Sequence, residues 1–367
     1  MKVFIAGTSF EPDYGGPAVS VSRLATAVAG AGAKVALWAP DGSAVTSDAV
    51  PRPAPGMTCL GGSLEEALST IGAIDIIHDN GLWLPHNHRI AALATRRGIA
   101  RVVSIRGMLE PWAIRHKRVK KAIAWRLYQK RDLMKAALLH TTSKPEARGL
   151  SAYGLDCPVV TIPNGAGLPD LRDKSSGPPV HSGKTKVALF LGRIHPVKGL
   201  PMLIEAWSRL RPEGWRLRIA GPDVNGHRAE VEALAARHGL AGTVSFPGPV
   251  DGDAKANEYR AASIFVLPTH SENFGMVVAE ALSYGVPVLT THGAPWQELE
   301  TERCGWWVAP AVESLLSGLA EATSAAPDTL IEMGRRGRAL IAARYGWGPI
   351  AGQFMAAYQQ ALARLPS

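Results

Sequence analysis

The stretch from Leu267 to Thr291, LPTHSENFGMVVAEALSYGVPVLTT, decides the fold class. The apolar run SIFVLPTH leads into it, a helical pattern surrounds Glu280, and a second apolar run, PVLTT, closes it. Short, continuously apolar runs that alternate with helix-length patterns are typical of parallel strands covered on both faces. The stretch therefore predicts a strand, a loop, a helix and a strand, in that order.

The same alternation continues on both sides of this stretch. Strand signals before residue 165 are KVFIAG, KVALWAP, DIIHDN, RVVSIRG, LLHTTS and PVVTIPN. Strand signals after residue 186 are VALFLGRI, RLRIAGPD, TVSFPGPV, SIFVLPTH, PVLTTHG and GWWVAP. Residues 165–186 are rich in Gly, Pro and Ser and have no periodicity, which favours a linker. We predict an α/β protein with two Rossmann-like, doubly wound domains that face each other across a cleft.

The predicted boundaries follow from these patterns. An N-terminal domain spans 1–175, a C-terminal domain spans 176–347, and a helix over 348–367 packs back on the N-terminal domain. This helix places Ile350, Phe354, Tyr358 and Leu362 on one face. A chain of 367 residues is long for a single core and sufficient for two.

Composition excludes several classes of protein. Hydrophobic residues make up 46% and charged residues 19%, which argues against disorder. The start, MKVFIAGTSF, reads as a buried strand and not as a signal peptide, and no run approaches the ~18 apolar residues of a membrane span. Cys59, Cys157 and Cys304 are odd in number and far apart, which fits neither a disulfide framework nor a zinc site. We expect a cytoplasmic protein.

Ligands of open α/β sheets bind beyond the carboxyl ends of the strands, and two such places carry phosphate-binding signals. In GRIHPVKGL, Arg193 and Lys198 follow a strand and precede a helix, which suits a diphosphate. In EPDYGGPAVS, Gly15 and Gly16 allow close backbone approach at a helix start. The alternatives are a solvated turn for the first place and a flexible turn for the second.

The opening stretch adds acceptors for hydroxyl groups. Glu272 precedes the helix and Glu280 lies two turns deeper, so both carboxylates can accept hydrogen bonds from a sugar or from ribose. The backbone amides of Asn273, Phe274 and Gly275, the last placed in the first turn, can hold hydroxyls or phosphate. The alternative is that Glu272 interacts with the helix dipole and Glu280 is an ordinary helical residue.

Taken in order, Gly15-Gly16, GRIHPVKGL, AGPD (220–223), SENFGMVVAEALSYGVPVLTT and APWQELETERCGWWV (294–308) resemble glycosyltransferase family 4, which has the GT-B fold. The resemblance covers nearly the whole chain. It implies retaining, metal-independent transfer of a hexose, of the mannose or glucose type, from a nucleotide diphosphate sugar, without a cofactor.

By the same resemblance, Arg193 and Lys198 neutralise the donor diphosphate and Glu280 binds the ribose hydroxyls. Glu272 contacts the transferred sugar with help from the amides of residues 273–275, and Gly16 approaches the phosphates. Without a protein nucleophile, the leaving phosphate helps to deprotonate the acceptor on the same face, and electrostatic stabilisation dominates catalysis.

One position departs from the family pattern. Many relatives have His after the strand that here reads RVVSIRG, where this chain has Arg106. Arg does not act as a general base, but it can bind an anion or hydroxyls. His78, in DIIHDN, ends a strand that faces the same cleft and is a second candidate for catalysis; a purely structural role is equally open.

Two patterns resemble metal sites. Asp251 and Asp253 form a DxD pattern, but they open a helical stretch, so helix capping explains them better. His86 and His88 lack a third ligand at a useful spacing. We expect no bound metal.

The segment Arg115–Lys135 holds nine Lys or Arg and one acid, a charge of +8 out of the chain's +9. Lys117, Arg118, Lys120 and Lys121 can form a patch for an anionic membrane or acceptor, with Trp112 and Trp125 as anchors. The alternative is a helix that docks Val119, Ile123, Leu127 and Met134 against the domain and turns its charges outward.

We therefore predict a bacterial enzyme that adds a hexose to a lipid-linked glycan, in lipopolysaccharide or exopolysaccharide synthesis, at the inner face of the cell membrane. A soluble enzyme that makes a small glycoside or a storage glucan remains open, as does a catalytically silent nucleotide-sugar-binding protein. A nucleic-acid-binding protein is disfavoured because the basic segment contains no known binding motif.

Overall fold

The computed structural model describes residues 1–11, 14–51, 53–115, 117–169 and 185–364. The contacts divide the chain into two units. Unit 1 comprises Met1–Gly165 and Trp347–Ser367, and unit 2 comprises Ala166–Gly346. The divisions thus fall at 165/166 and 346/347, whereas the sequence placed them at 175/176 and 347/348. The first of those predicted boundaries lies outside the described residues.

Unit 1 contains a seven-stranded parallel sheet in the order β3-β2-β1-β4-β5-β6-β7. Its strands are β1 (Lys2–Ala6), β2 (Lys34–Trp38), β3 (Met57–Leu60), β4 (Ile76–Asn80), β5 (Ala100–Ser104), β6 (Leu138–Thr141) and β7 (Val159–Thr161). Its helices are α1 (Gly16–Gly30), α2 (Ser43–Thr46), α3 (Leu64–Ile71), α4 (Pro85–Arg97), α5 (Pro111–Arg115), α6 (Arg118–Ala124), α7 (Lys130–Met134) and α8 (Lys144–Gly149). A π-helical turn, Trp125–Gln129, joins α6 to α7.

Unit 2 contains a six-stranded parallel sheet in the order β10-β9-β8-β11-β12-β13. Its strands are β8 (Lys186–Leu191), β9 (Trp215–Ala220), β10 (Val244–Gly248), β11 (Ile264–Leu267), β12 (Val288–Thr291) and β13 (Gly305–Val308). Its helices are α9 (Leu200–Leu210), α10 (His227–Arg237), α11 (Gly252–Ala261), α12 (Met276–Ser283), α13 (Glu298–Thr301), α14 (Val312–Ser324) and α15 (Pro327–Leu340).

The final helix, α16 (Trp347–Leu362), packs in unit 1. Its Ile350, Phe354 and Tyr358 are buried with Val3 and other residues of the sheet and of α1. The helix therefore completes the core of the unit in which the chain begins.

The predicted α/β class with two parallel, Rossmann-like sheets is confirmed, and each predicted strand overlaps one of the strands above, although β5, β8 and β9 begin one residue before the predicted runs. The edge strand β3 was missed. It is short, and Thr58 on it is exposed, so it lacks the continuous apolar run that identified most of the other strands. Among the described helices, none is long and apolar enough to cross a membrane.

Candidate functional site

The end of β8 in unit 2 carries the predicted diphosphate cations. Arg193 is exposed and forms no hydrogen bond or ion pair with the residues that the structure describes. A short 3-10 turn, Pro196–Lys198, follows, and Gly199 ends it with a φ of 67°. A Cβ on Gly199 would lie 2.1 Å from the carbonyl oxygen of Pro268, so only glycine lets this turn approach the end of β11.

Backbone and side-chain contacts fasten this turn to the loop after β11. The amide of His270 donates to the carbonyl of Val197 at 2.8 Å, and the hydroxyl of Thr269 donates to the same oxygen at 3.1 Å. The ammonium group of Lys198 forms an ion pair with the carboxylate of Glu272, and both side chains are mostly buried. Glu272 therefore pairs with a cation from another loop and does not serve as a helix cap.

The surroundings of His195 show that the turn after β8 is positively charged. Its Nδ1 accepts a hydrogen bond from the amide of Val197 at 3.1 Å. Burial holds the pKa of His195 below its usual value, and Arg193, His227 and Lys198 lower it further. A site that disfavours one more cation is suited to an anion.

The loop that precedes α12 differs from the prediction at one point. The helix begins at Met276, so Gly275 lies before its first turn and not within it, because a φ of 80° is incompatible with a right-handed helix. The side chain of Phe274 is buried against Trp296 and Tyr345, and its carbonyl accepts from the Trp296 indole at 2.6 Å. These contacts fix the path of the backbone whose amides were predicted to bind the donor.

Glu280, on α12, is held by two residues of α11 that sequence reasoning missed. The ammonium of Lys255 lies 2.8 Å from the Glu280 carboxylate, and the hydroxyl of Tyr259 donates to it at 2.8 Å. Burial, and then the Glu280 charge, raise the pKa of Tyr259 well above its usual value, so the phenol stays a donor. The i, i+4 spacing of Lys255 and Tyr259 indicates that they share a helix face, but nothing in it points to Glu280. The glutamate keeps a partly exposed carboxylate with a fixed orientation.

The two patterns that resemble metal sites receive no support from the geometry. Asp251 occupies the position before α11, but its side chain makes no capping hydrogen bond, so the capping explanation is wrong in that detail. His88 pairs with Asp132, at 2.6 Å. Within the described ranges, no three His, Cys, Asp or Glu side chains are grouped in a way that could hold a metal ion.

In unit 1, Gly15 and Gly16 lie where the sequence placed them, at the start of α1. Gly15 has a φ of 81°, and a Cβ on either glycine would meet open space. The N-terminal turn of this 15-residue helix is thus unobstructed.

Arg106 follows β5 with a φ of 51°. Its guanidinium donates to the side-chain oxygens of Asn80 at 3.0 Å, Ser20 at 3.0 Å and Asn164 at 3.3 Å. Burial lowers the pKa of Arg106 to about 10, although Glu146 opposes the shift. Arg106 remains a cation held by neutral acceptors, and it lines a small pocket with Gly7, Thr8, Ser9 and Tyr14.

The structure corrects the placement of His78. It lies inside β4 and is fully buried, with Nδ1 2.7 Å from the Tyr358 hydroxyl and Nε2 2.7 Å from the Ser104 hydroxyl. Ser104 also lies 2.6 Å from His140 Nδ1, and His140 Nε2 lies 2.8 Å from the carbonyl of Ile162.

This arrangement assigns every proton in the chain of hydrogen bonds. The Ile162 carbonyl only accepts, so His140 donates from Nε2 and accepts at Nδ1 from Ser104. Ser104 must then accept from His78 Nε2, and Tyr358 donates to His78 Nδ1. Both rings are neutral, in agreement with burial lowering the pKa of His78 far below its usual value and that of His140 to about 3. Neither ring nitrogen of His78 is available to a substrate.

Two family models match the chain. Residues 15–165 match a glycosyl transferase 4-like domain, and residues 172–339 match glycosyl transferases group 1.

Among curated proteins, the D-inositol 3-phosphate glycosyltransferase of Streptomyces scabiei is 42% identical over 113 residues, 28% of this chain and 25% of that protein. The protein of the same name from Gordonia bronchialis is 28% identical over 240 residues, 61% of this chain and 52% of that protein. The chain thus spans a quarter to about half of the length of these curated relatives.

Solved structures show the same fold over nearly the whole chain. A sucrose-phosphate synthase from Thermosynechococcus elongatus superposes with a TM-score of 0.78 at 21% identity and covers 99% of both chains. HepE from Anabaena, in complex with UDP and glucose, has a TM-score of 0.72 at 19% identity and covers 98% of this chain and 99% of its own. Both likenesses establish the GT-B fold.

Proposed function

The two halves of the chain match the models of the glycosyl transferase 4-like and glycosyl transferases group 1 families, and from these matches we propose a hexosyltransferase that uses a nucleotide diphosphate sugar. The observation that carries the proposal is the cluster in unit 2, where Arg193, a cation without an ion pair to the described residues, accompanies the Lys198–Glu272 ion pair. An incoming diphosphate replaces Glu272 as the partner of Lys198, since it carries more charge and adds Arg193 as a second, bidentate contact.

The same exchange prepares the transfer step. Glu272, released from Lys198, accepts hydrogen bonds from hydroxyls of the hexose, and Glu280 accepts from the ribose. Two cations then stabilise the charge that develops on the leaving diphosphate, which substitutes for a divalent metal. Retention of the anomeric configuration, by attack on the face that the diphosphate leaves, is part of this proposal. The contribution of Gly15 and Gly16 to phosphate binding stays a prediction.

A small phosphorylated acceptor is the first candidate. It is supported by the relatives, whose names concern inositol 3-phosphate, sucrose-phosphate and, for an Escherichia coli protein with a TM-score of 0.70 at 13% identity, trehalose-6-phosphate. Arg106 adds a cation with neutral partners, which leaves its charge for an acceptor phosphate. Such an enzyme makes a soluble glycoside.

A lipid-linked glycan acceptor, as in lipopolysaccharide or exopolysaccharide synthesis, is the second candidate. The observation that favours it is the basic segment of unit 1, whose +8 charge suits the anionic inner face of the cell membrane. The acceptor then lies at the membrane surface, and the enzyme is a peripheral cytoplasmic protein.

A thermal-shift screen with UDP, GDP and ADP tests the donor, with UDP first because the HepE structures contain it. Transfer from the matching sugar nucleotide is then measured with inositol phosphate and hexose phosphates as acceptors. We expect a raised melting temperature with one nucleotide and turnover with a phosphorylated acceptor. Donor binding without turnover on phosphorylated or lipid-linked acceptors would instead indicate a silent nucleotide-sugar-binding protein. The absence of binding to all three nucleotides would refute the proposal.

A further inference from the structure

The helical segment Arg118–Met134 of unit 1 carries large apolar side chains on its outer face. Val119 is 72% exposed, Ile123 53% and Leu127 69%. These three residues recur at every fourth position, so they form one line along the helix, which we call the outer stripe. The alternative, in which these side chains dock against the domain, is therefore wrong.

The inner face of the segment is held by polar and aromatic groups instead. The side-chain oxygen of Gln129 accepts from the amide of Trp83 at 2.8 Å, and Asp132 pairs with His88 at 2.6 Å. Trp125 packs against Trp83 and Tyr153, with ring centroids 6.1 and 5.4 Å apart, and so is not an exposed anchor. These contacts hold the segment in place. The apolar character of the outer stripe is therefore not explained by packing within the fold.

Positive charge surrounds the outer stripe. The single acid of the segment, Asp132, is buried, so its exposed charges are cationic. An open depression of about 580 Å³ lies along the C-terminal part of the same segment and is lined by Trp125, Arg126, Lys130, Arg131, Met134 and Lys135. Four cations around a depression of this size suit a phosphate-bearing headgroup. Trp112, 53% exposed on the preceding helix α5, adds an amphipathic ring.

We propose that this surface docks the protein on a bilayer that contains anionic phospholipids. The outer stripe inserts among the acyl chains, the flanking cations face the phosphates, and the depression receives one headgroup. The combination of apolar and cationic groups is what identifies a bilayer as the binding partner. A nucleic acid complements the charge but not the stripe, and a second copy of the chain would oppose the same cations to each other. The inference is independent of which acceptor the enzyme glycosylates.

Two triple variants separate the two components. The stripe variant is Val119→Ser, Ile123→Ser and Leu127→Ser. The charge variant is Arg118→Glu, Lys120→Glu and Arg126→Glu, three exposed side chains without hydrogen bonds or ion pairs to described residues. Lys121 is avoided, since it donates to the carbonyl of Ala113 at 2.6 Å.

Each variant has a matched control elsewhere on the surface. Val45, Val159 and Ile331 are 58%, 43% and 45% exposed, and their replacement by Ser matches the stripe variant. Arg96→Glu, Arg216→Glu and Arg237→Glu match the charge variant in net charge. Circular dichroism checks the fold of all four proteins.

Binding is measured by co-sedimentation with vesicles of phosphatidylcholine, with and without phosphatidylglycerol, in low and high salt. Each cation near an anionic surface contributes about a fivefold gain in affinity, so the charge variant is expected to bind at least about 100-fold more weakly. The stripe variant is expected to lose about 100-fold or more, because three apolar side chains no longer leave water. Both controls are expected to bind as the wild type does.

Three outcomes would overturn the proposal. The wild type could stay in the supernatant with anionic vesicles at low salt, or the stripe variant could bind like the wild type. The third is that the protein binds a single-stranded oligonucleotide more tightly than the vesicles. Turnover with a soluble acceptor is measured in parallel and is expected to be unchanged in both variants. Vesicle binding without turnover would count against the proposed enzymatic function alone, and turnover without vesicle binding would count against docking alone.

Discussion

The polar residues near the strand ends of unit 2 and those in the sheet of unit 1 form opposite kinds of interaction. In unit 2, charged side chains pair with one another at partly open positions, as in Lys198–Glu272 and Lys255–Glu280. In unit 1, His78 and His140 are buried, neutral and linked by hydroxyl groups. Ion pairs of this kind can exchange partners when a charged ligand arrives, whereas a closed chain of buried hydrogen bonds resists any change of protonation. Polar residues that look alike in the sequence are therefore suited to ligand binding in unit 2, as we propose, and to stability in unit 1.

The largest expected effect concerns the charged side chains of unit 2. Lys198→Ala and Arg193→Ala are each expected to lower kcat/KM by about 30- to 1000-fold, since each removes about 2–4 kcal/mol of stabilisation from the leaving diphosphate. Steady-state kinetics with the cognate donor measure this. Arg216→Ala, an exposed arginine on β9, is the control and is expected to act as wild type. Near-normal turnover of both site variants would refute the assignment.

Next in size is the effect of Glu280→Gln, which keeps the shape of the side chain but removes its charge. The variant loses charge-assisted bonds of about 1.5–3 kcal/mol, so the KM for the donor is expected to rise about ten- to hundredfold with less change in kcat. Tyr259→Phe, which only removes one hydroxyl from the same carboxylate, is expected to have a smaller effect in the same direction. An unchanged KM in Glu280→Gln would show that the carboxylate does not touch the donor.

The role of the buried histidines in unit 1 is tested by measuring stability and not by kinetics. Tyr358→Phe leaves the buried Nδ1 of His78 without its donor and is expected to destabilise unit 1 by about 1–3 kcal/mol. Hydrogen exchange of β4 amides reads unit 1 separately from unit 2. Tyr14→Phe, at an exposed tyrosine, is the control. If Tyr358→Phe changed donor binding while unit 1 kept its stability, the contrast between the units would fail.

A change of pH separates the two units further. The folded-state pKa values of His78 and His140 lie below 6.5, so their contribution to stability is complete above that pH and is lost as the pH falls. When the pH falls from 7.5 to 5.5, each of these two histidines lowers the free energy of unfolding by roughly 1.4 kcal/mol. Burial raises the pKa of Asp79 to about 6, and protonation of this carboxyl in the folded state offsets part of the loss.

We therefore expect unit 1 to lose about 2 kcal/mol of stability over this interval, and unit 2 to lose less. Hydrogen exchange of β4 and β8 amides at both pH values measures the two changes. Equal losses in the two units would contradict the assignment of both histidines as neutral.

The smallest expected effect is that of metal removal. Because the diphosphate charge is met by Arg193 and Lys198 in this proposal, turnover is expected to be unchanged by EDTA. Activity abolished by the chelator and restored by Mg²⁺ or Mn²⁺ would show that the cations of unit 2 do not suffice.

The fold was largely predictable from the sequence because most of the buried parallel strands are continuously apolar, whereas β3, a short edge strand, lacks that pattern. The start of α12 was misplaced because the left-handed φ of Gly275 leaves no mark in a periodicity. Arg193, Lys198, Glu272 and Glu280 were proposed as site residues because they follow strand ends or recur in a family pattern, and their roles stay predictions.

Two features of the sites could not be predicted, for different physical reasons. The pairing of Lys255 and Tyr259 with Glu280 depends on how two helices pack, which no local pattern encodes. The orientation of Val119, Ile123 and Leu127 was left open between a surface patch and a docked face, because apolar residues are usually buried and the polar residues Gln129 and Asp132 give no sign in the sequence that they occupy the inner face.

The position of α16 in unit 1 has a consequence for the order in which the protein is made. Tyr358 completes the hydrogen bonds of His78, and Phe354 fills the core beside it, yet both are synthesised after the whole of unit 2. At about 5–20 residues per second, the ribosome takes roughly 10–40 s to pass from the first part of unit 1 to α16. Unit 2 has both of its ends joined in one bridge, Ala166 to Gly346, and is complete before then. We expect chains halted at residue 346 to contain a protease-resistant unit 2 and a sensitive unit 1, so the half that is translated first is the half that matures last.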